Sequence, residues 1–120
     1  MKIYVGHVRE GNYQKELYDP LRNSSLNDRA EIILPHEDSD ESFNSREELE
    51  TVDYMVAEVS HPSTGLGIEM GWASLQGVPI IAIYKRGSKL SNSVKSIAET
   101  VIEYTSGDDM VKKLSTYLKA

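Results

Sequence analysis

The chain has 120 residues, a length typical of one domain with a single buried core. It carries 13 Lys and Arg against 19 Asp and Glu, a formal charge of −6. This acidic balance excludes a non-specific binder of nucleic acid or anionic membrane, because such partners select basic surfaces. The absence of cysteine excludes disulfides, thiolate metal ligands and a cysteine nucleophile. No apolar stretch approaches the roughly 20 residues that cross a bilayer, so we expect a cytoplasmic protein.

Segments with strand patterns alternate along the chain with segments of helical periodicity. Strands are predicted at residues 3–5, 31–34, 54–59, 80–84 and 101–104. Helices are predicted at residues 12–21, where Pro20 kinks or shortens the helix, and at residues 65–76, 91–98 and 108–118. A further short helix begins at Asn44 or Ser45, and Ser45 with Glu48 has the spacing of a capping box.

This alternation predicts an α/β fold in which a parallel sheet is covered by helices on both faces. We expect one domain over residues 1–120, with five strands in the order 2-1-3-4-5. Ligands of such sheets bind beyond the carboxyl ends of the strands, where the strand order switches. The functional residues are therefore expected in the loops that follow the first four strands.

The most informative segment is AEVSHPSTGLGIEMGWA, residues 57–73. Gly65 and Gly67 stand between a buried strand and a helix, where glycine lets a ligand approach the backbone and the helix start offers N–H groups to an anion. Ser63 adds a hydroxyl at the same place. A tight turn with good helix packing explains the glycines equally well.

Glu69 lies just inside the same predicted helix, where the helix dipole favours an acidic side chain even without a function. Its neighbours in sequence are apolar, which favours partial desolvation of the carboxylate: Leu66, Ile68, Met70 and Trp72. An ionised carboxylate in such a place suits a nucleophile or a stabiliser of a cation.

The segment PSTGLGIEMGWA, with YMVAEV before it and GVPIIAIY after it, resembles the nucleoside 2-deoxyribosyltransferase superfamily. It looks closest to the branch of 2′-deoxynucleoside 5′-phosphate N-hydrolases and CMP hydrolases. The resemblance covers nearly the whole chain, and its specific part runs from Asp53 to Tyr84. It implies a flavodoxin-like three-layer fold and a homodimer.

By this resemblance, Glu69 matches the catalytic glutamate and Ser63 matches the serine that binds the 5′-phosphate. Ser91 resembles a serine that reaches the phosphate across the dimer interface, with Ser93 as an alternative. The other residues implied in substrate binding surround the same pocket: Tyr4, Gly6, His7, Arg9, Gly65 and Gly67.

Two departures from the family pattern affect the expected chemistry. The family usually places an aspartate that handles leaving-group protonation where this chain has Ser45, and a serine is no general acid near neutral pH. Four residues of the preceding loop are candidates for that role: Asp38, Asp40, Glu41 and His36. Tyr4 stands two residues before Gly6, as in transferases of free nucleosides, whereas the monophosphate hydrolases have their tyrosine where this chain has Ile3.

The resemblance thus implies an enzyme that cleaves the base–sugar bond of a nucleoside or 2′-deoxynucleoside 5′-monophosphate, with Glu69 as the nucleophile. The alternatives are a deoxyribosyltransferase that exchanges bases, and a nucleotide-binding sensor weakened in catalysis by the serine at position 45. We expect no cofactor and no metal, since the three histidines lack zinc-ligand spacing. The expected partners are a small nucleotide or nucleoside and a second copy of the chain.

Overall fold

The computed structural model describes residues 1–38 and 44–120. In that part of the chain, five parallel strands form one sheet in the order β2-β1-β3-β4-β5. The strands are β1 (Lys2–Gly6), β2 (Glu31–Ile33), β3 (Tyr54–Glu58), β4 (Ile80–Lys85) and β5 (Thr100–Tyr104). In the register of the sheet, Tyr4 of β1 pairs with Ile33 of β2 on one side and Met55 of β3 on the other. The predicted parallel sheet and its strand order are confirmed.

Helices connect the strands. They are a π-helical turn (Gln14–Tyr18), α1 (Asp19–Arg22), α2 (Leu26–Arg29), α3 (Ser45–Glu48), α4 (Thr64–Leu75), α5 (Asn92–Ile97) and α6 (Gly107–Leu118). The predicted helix over residues 12–21 forms as the π-helical turn and α1, because Pro20 has no N–H for a regular helical hydrogen bond. The short helix α2 was not predicted, since its four residues carry only one buried apolar side chain, Leu26.

Alternation along β1 sends neighbouring side chains to opposite faces of the sheet. Ile3 and Val5 join the core beneath α1 and α6, whereas Tyr4 joins the core beneath α3 and α4. A tyrosine at position 3 would therefore lie on the far side of the sheet from α4. This alternation decides which side chain of β1 can reach the face covered by α3 and α4.

Helix α4 packs on the sheet through Leu66, Met70 and Ala73, which are its buried residues. Leu75, near the end of the same helix, is 89% exposed. At 3.6 residues per turn, Leu75 lies about 200° around the helix from Ala73 and faces away from the sheet. None of the described helices is long and apolar enough to cross a membrane.

Candidate active site

A pocket of about 830 Å³ opens at the carboxyl ends of β1, β2 and β3. It lies between the β1 and β3 loops, where the strand order switches, as the fold class predicts. The described lining residues are His7, Val8, Arg9, Glu10 and Gly11 after β1, His36 after β2, Ser45 of α3, His61, Pro62 and Ser63 after β3, and Gly65, Leu66, Ile68, Glu69 and Trp72 of α4. The loop after β4, also a predicted site loop, does not line this pocket.

Three polar side chains meet where β1, α3 and α4 come together. The Tyr4 hydroxyl donates a hydrogen bond to Oε2 of Glu69 and lies 2.7 Å from Oγ of Ser45. Burial, and then the charge of Glu69, hold the pKa of Tyr4 far above its ordinary value, so this hydroxyl keeps its proton at neutral pH. Within residues 1–38 and 44–120, the hydrogen bond of the Glu69 carboxylate is made through Oε2, and Oε1 accepts none.

Glu69 is the sixth residue of α4, and the first turn of this helix contains no acidic residue. The predicted stabilisation of its charge by the helix dipole is therefore weak, because that effect fades beyond the first turn. Among the described residues, Tyr4 is the one that holds the carboxylate by a hydrogen bond.

Ser45 is the first residue of α3 and is 9% exposed. Of the two predicted caps, Asn44 is the one that forms: its side-chain oxygen accepts a hydrogen bond from the Glu47 N–H at 3.4 Å. The alternative capping box, with Ser45 as cap and Glu48 as its partner, is wrong. Because Asn44 caps the helix, the Ser45 hydroxyl is available to Tyr4.

Ser63 is the N-cap of α4, and its hydroxyl oxygen accepts a hydrogen bond from the Leu66 N–H at 3.4 Å. The N–H groups of Thr64 and Gly65, in the first turn, have no carbonyl partner within the helix. Gly65 lines the Glu69 pocket, whereas Gly67 lines a neighbouring pocket. A methyl group at either glycine would meet no other atom within 4 Å, so close packing does not account for these two glycines.

The loop after β1 combines packing with a buried polar contact. Gly6 lies so close to Met55 and Leu66 that a Cβ there would come within 2.7 Å and 2.9 Å of their side chains. His7 is buried, with Nδ1 2.6 Å from the Val8 carbonyl and Nε2 2.6 Å from the Tyr18 hydroxyl. A carbonyl only accepts, so Nδ1 carries the proton and Nε2 accepts from Tyr18. Arg9 is exposed at the pocket rim.

The predicted acid candidates occupy different places. His36 lines the pocket, with its ring centroid 5.7 Å from that of His7. Asp38 is exposed and does not line the pocket, but its charge raises the pKa of Arg22, after the larger effect of the Glu37 ion pair. Asp40 and Glu41 lie outside the described residues. Among the described residues, no cluster of His, Asp and Glu is arranged to hold a metal ion.

Ser91 caps α5 and, within its own chain, does not line the Glu69 pocket. With Ser93 and Lys89 it lines a smaller pocket of about 230 Å³ between α4 and α5, which shares Ser63 with the larger one. Its expected reach across a dimer interface stays a prediction.

Comparison with known proteins relates this geometry to a family. The chain is 35% identical to a protein of Thermofilum pendens named "Putative 2′-deoxynucleoside 5′-phosphate N-hydrolase 1", over 98% of the chain and 95% of that protein. It is 32% identical to a protein of the same name from Syntrophotalea carbinolica, over 74% of the chain and 72% of that protein. The chain belongs to the 2′-deoxynucleoside 5′-phosphate N-hydrolase family. The predicted membership of the nucleoside 2-deoxyribosyltransferase superfamily is confirmed.

Solved structures agree with this fold. The CMP N-glycosidase of Clostridium botulinum superposes with a TM-score of 0.69 at 18% identity, covering 96% of this chain and 99% of that one. A conserved protein of Enterococcus faecalis V583 superposes with a TM-score of 0.64 at 18% identity, covering 97% and 98%. No family model matches the chain.

Two side chains of this N-hydrolase family member have roles in the pocket region that the sequence pattern does not indicate. The spacing of Tyr18 along the chain indicates an apolar helical face. Its hydroxyl nevertheless donates a hydrogen bond to Nε2 of His7 and accepts one from the backbone N–H of His36 at 3.1 Å. Trp72, which reads as a core or interface residue, lines the pocket and is half-buried. Neither position carries a motif, because both depend on how distant segments meet.

The buried His7 ring predicts a loss of stability in acid. Burial, the largest cause, lowers the pKa of His7 below its ordinary value. The unfolded chain therefore binds a proton on this ring more readily than the folded chain does. This contribution is complete above the unfolded pKa, about 6.5, and is lost as pH falls toward the lower folded pKa. Replacing His7 should therefore reduce the loss of unfolding free energy that occurs as pH falls.

Urea unfolding at pH 7.5 and pH 5.5 measures this difference. The loss of unfolding free energy between the two pH values should be smaller in His7→Gln than in the unsubstituted protein. The exposed His61 provides the matched control, so His61→Gln should lose as much as the unsubstituted protein. An unchanged loss in His7→Gln would contradict the buried neutral ring.

Proposed function

We propose that this protein hydrolyses the N-glycosidic bond of a nucleoside or 2′-deoxynucleoside 5′-monophosphate, as the names of its relatives suggest. The observation that carries the proposal is the Glu69 carboxylate, held by the buried Tyr4 hydroxyl in a pocket that also contains the start of α4. A carboxylate and an anion-binding helix start in one pocket fit a sugar phosphate.

The spacing along α4 supports this orientation of the substrate. Ser63 and the N–H groups of Thr64 and Gly65 form the end of the helix that favours an anion. A rise of 1.5 Å per residue places Glu69 about 9 Å along the axis from Ser63 and about 6 Å from Gly65. A pentose 5-phosphate can bridge this separation, with its phosphate at the helix start and its anomeric carbon at Glu69.

The reaction then follows from the carboxylate in two steps. In the first, an oxygen of Glu69 bonds to the anomeric carbon while the bond to the base nitrogen breaks, and the electron pair leaves with the base. In the second, water attacks the anomeric carbon and gives a proton to the group that had protonated the base, while the bond to Glu69 breaks and frees the carboxylate and the sugar phosphate. Tyr4 keeps the carboxylate oriented through both steps.

The departing base also needs a proton, which we assign to His36. Histidine is the side chain whose ordinary pKa suits proton transfer near neutral pH. Of the acid candidates from the sequence that the structure describes, His36 lines the pocket and Asp38 does not. The role is not assigned to His7, whose two ring nitrogens contact the Val8 carbonyl and the Tyr18 hydroxyl.

Glu69→Gln tests the nucleophile. This substitution keeps the shape of the side chain but removes its charge, so base release from nucleoside monophosphates should fall by at least about 10³-fold. Chromatography of the released base at saturating substrate measures the effect. Glu47→Gln is the matched control on an exposed helix position outside the pocket, and should retain full activity.

The same assay separates the alternatives. Base exchange that requires a second base would identify a deoxyribosyltransferase, and nucleotide binding without base release would identify a sensor. Full activity of Glu69→Gln would contradict the assigned nucleophile.

Recognition of the 5′-phosphate has its own test. If Ser63 and the start of α4 bind this group, nucleoside monophosphates should raise the melting temperature far more than the corresponding nucleosides do. Thermal unfolding with thymidine and its monophosphate at equal concentration gives the comparison. Ser63→Ala should reduce the shift with the monophosphate, whereas equal shifts for the two ligands would favour a site for free nucleosides.

The acid role of His36 predicts a dependence on the leaving group. His36→Gln should slow hydrolysis of ordinary nucleotides by about 10²–10⁴-fold, the usual contribution of a general acid. It should barely affect a nitrophenyl glycoside 5-phosphate, whose leaving group departs without a proton. Initial rates on both substrates decide the matter. Should Asp38→Asn show this selective loss and His36→Gln show none, the acid is Asp38.

A further inference from the structure

The contact between Ser45 and Tyr4 has one possible direction. A tyrosine hydroxyl carries a single proton, and Tyr4 donates it to Oε2 of Glu69. The Ser45 hydroxyl, 2.7 Å from the Tyr4 oxygen, must therefore be the donor of the second hydrogen bond. The result is a chain of two hydrogen bonds that runs from Ser45 through Tyr4 to Glu69.

The surroundings of this chain leave Tyr4 few other positions. Tyr4 is 1% exposed and Ser45 is 9% exposed, and both lie beside the apolar core beneath α3 and α4. Leu49 and Leu66 belong to that core and are themselves 0% and 3% exposed. In such surroundings, the first hydrogen bond polarises the second and strengthens it.

We propose that Ser45 is a positioning residue, which orients Tyr4 and thereby holds the Glu69 carboxylate at the anomeric carbon. This inference rests on the proposed function and extends it. Ser45 acts as the donor at the start of the hydrogen-bond chain and takes no part in proton transfer to the base. Ser45 thus helps to orient the nucleophile Glu69, while His36 protonates the leaving group.

A double-mutant cycle measures the coupling. Ser45→Ala should lower kcat by about 10-fold with little change in KM, the effect of one lost neutral hydrogen bond. Tyr4→Phe should lower kcat by about 10²-fold, because it removes a hydrogen bond to a charged group. The double variant should match Tyr4→Phe alone, since Ser45 acts only through Tyr4. Ser74→Ala, an exposed serine of α4 outside the pocket, is the control and should retain full activity.

Proton NMR provides a readout that does not depend on activity. The buried Tyr4 hydroxyl proton should give a downfield resonance that disappears in Tyr4→Phe. In Ser45→Ala this resonance should move upfield, because Tyr4 then donates a weaker hydrogen bond. In Ser74→Ala it should stay in place. Ser45→Thr, which keeps the hydroxyl, should return both the resonance and kcat toward those of the unsubstituted protein.

The outcomes separate the two proposals. If Ser45→Ala moves the resonance while the unsubstituted protein releases no base, the hydrogen-bond chain stands and the proposed function fails. If the two losses of kcat, expressed as free energies, add fully in the double variant, Ser45 does not act through Tyr4 and the positioning role is overturned. An unchanged resonance and an unchanged kcat in Ser45→Ala overturn it as well.

Discussion

The hydrogen bond between Tyr4 and Glu69 is the contact on which the candidate active site depends. It joins the middle of β1 to α4. Tyr4 reaches this helix only because alternation along β1 sends its side chain to the face covered by α3 and α4, opposite to Ile3. The face of the sheet on which the Tyr4 side chain lies thus decides whether it can bind Glu69.

Three tyrosine hydroxyls donate hydrogen bonds to polar side chains on or next to the strands of the sheet. Tyr4 donates to Glu69, Tyr18 to His7, and Tyr104 to Glu58. Burial raises the pKa of all three tyrosines, so each remains a protonated donor at neutral pH. Their donated hydrogen bonds satisfy polar groups that would otherwise destabilise the folded chain.

Glu58 differs from Glu69 in how many of its carboxylate oxygens accept hydrogen bonds. One of its oxygens accepts the Ser60 N–H at 2.7 Å and the other accepts from Tyr104. Glu69 is engaged through one oxygen only by the described residues. Two glutamates near the same sheet edge therefore differ in what they can offer to a substrate, and this difference comes from their hydrogen-bond partners.

Periodicity, local motifs and the rules for α/β folds were enough to predict the parallel sheet, its strand order, and Glu69 and Ser63 as candidates. These features depend on short-range patterns and on general rules for α/β sheets. Three of the four loops predicted to carry the site line the pocket, and the loop after β4 does not. Tertiary structure alone decided that Asn44 caps α3, that Ser45 turns to Tyr4, that Tyr18 serves His7, and that Leu75 faces outward. Each of these depends on the directions of individual side chains or on contacts between them. The contact between Ser45 and Tyr4 joins residues 41 positions apart, a separation over which sequence patterns carry no signal.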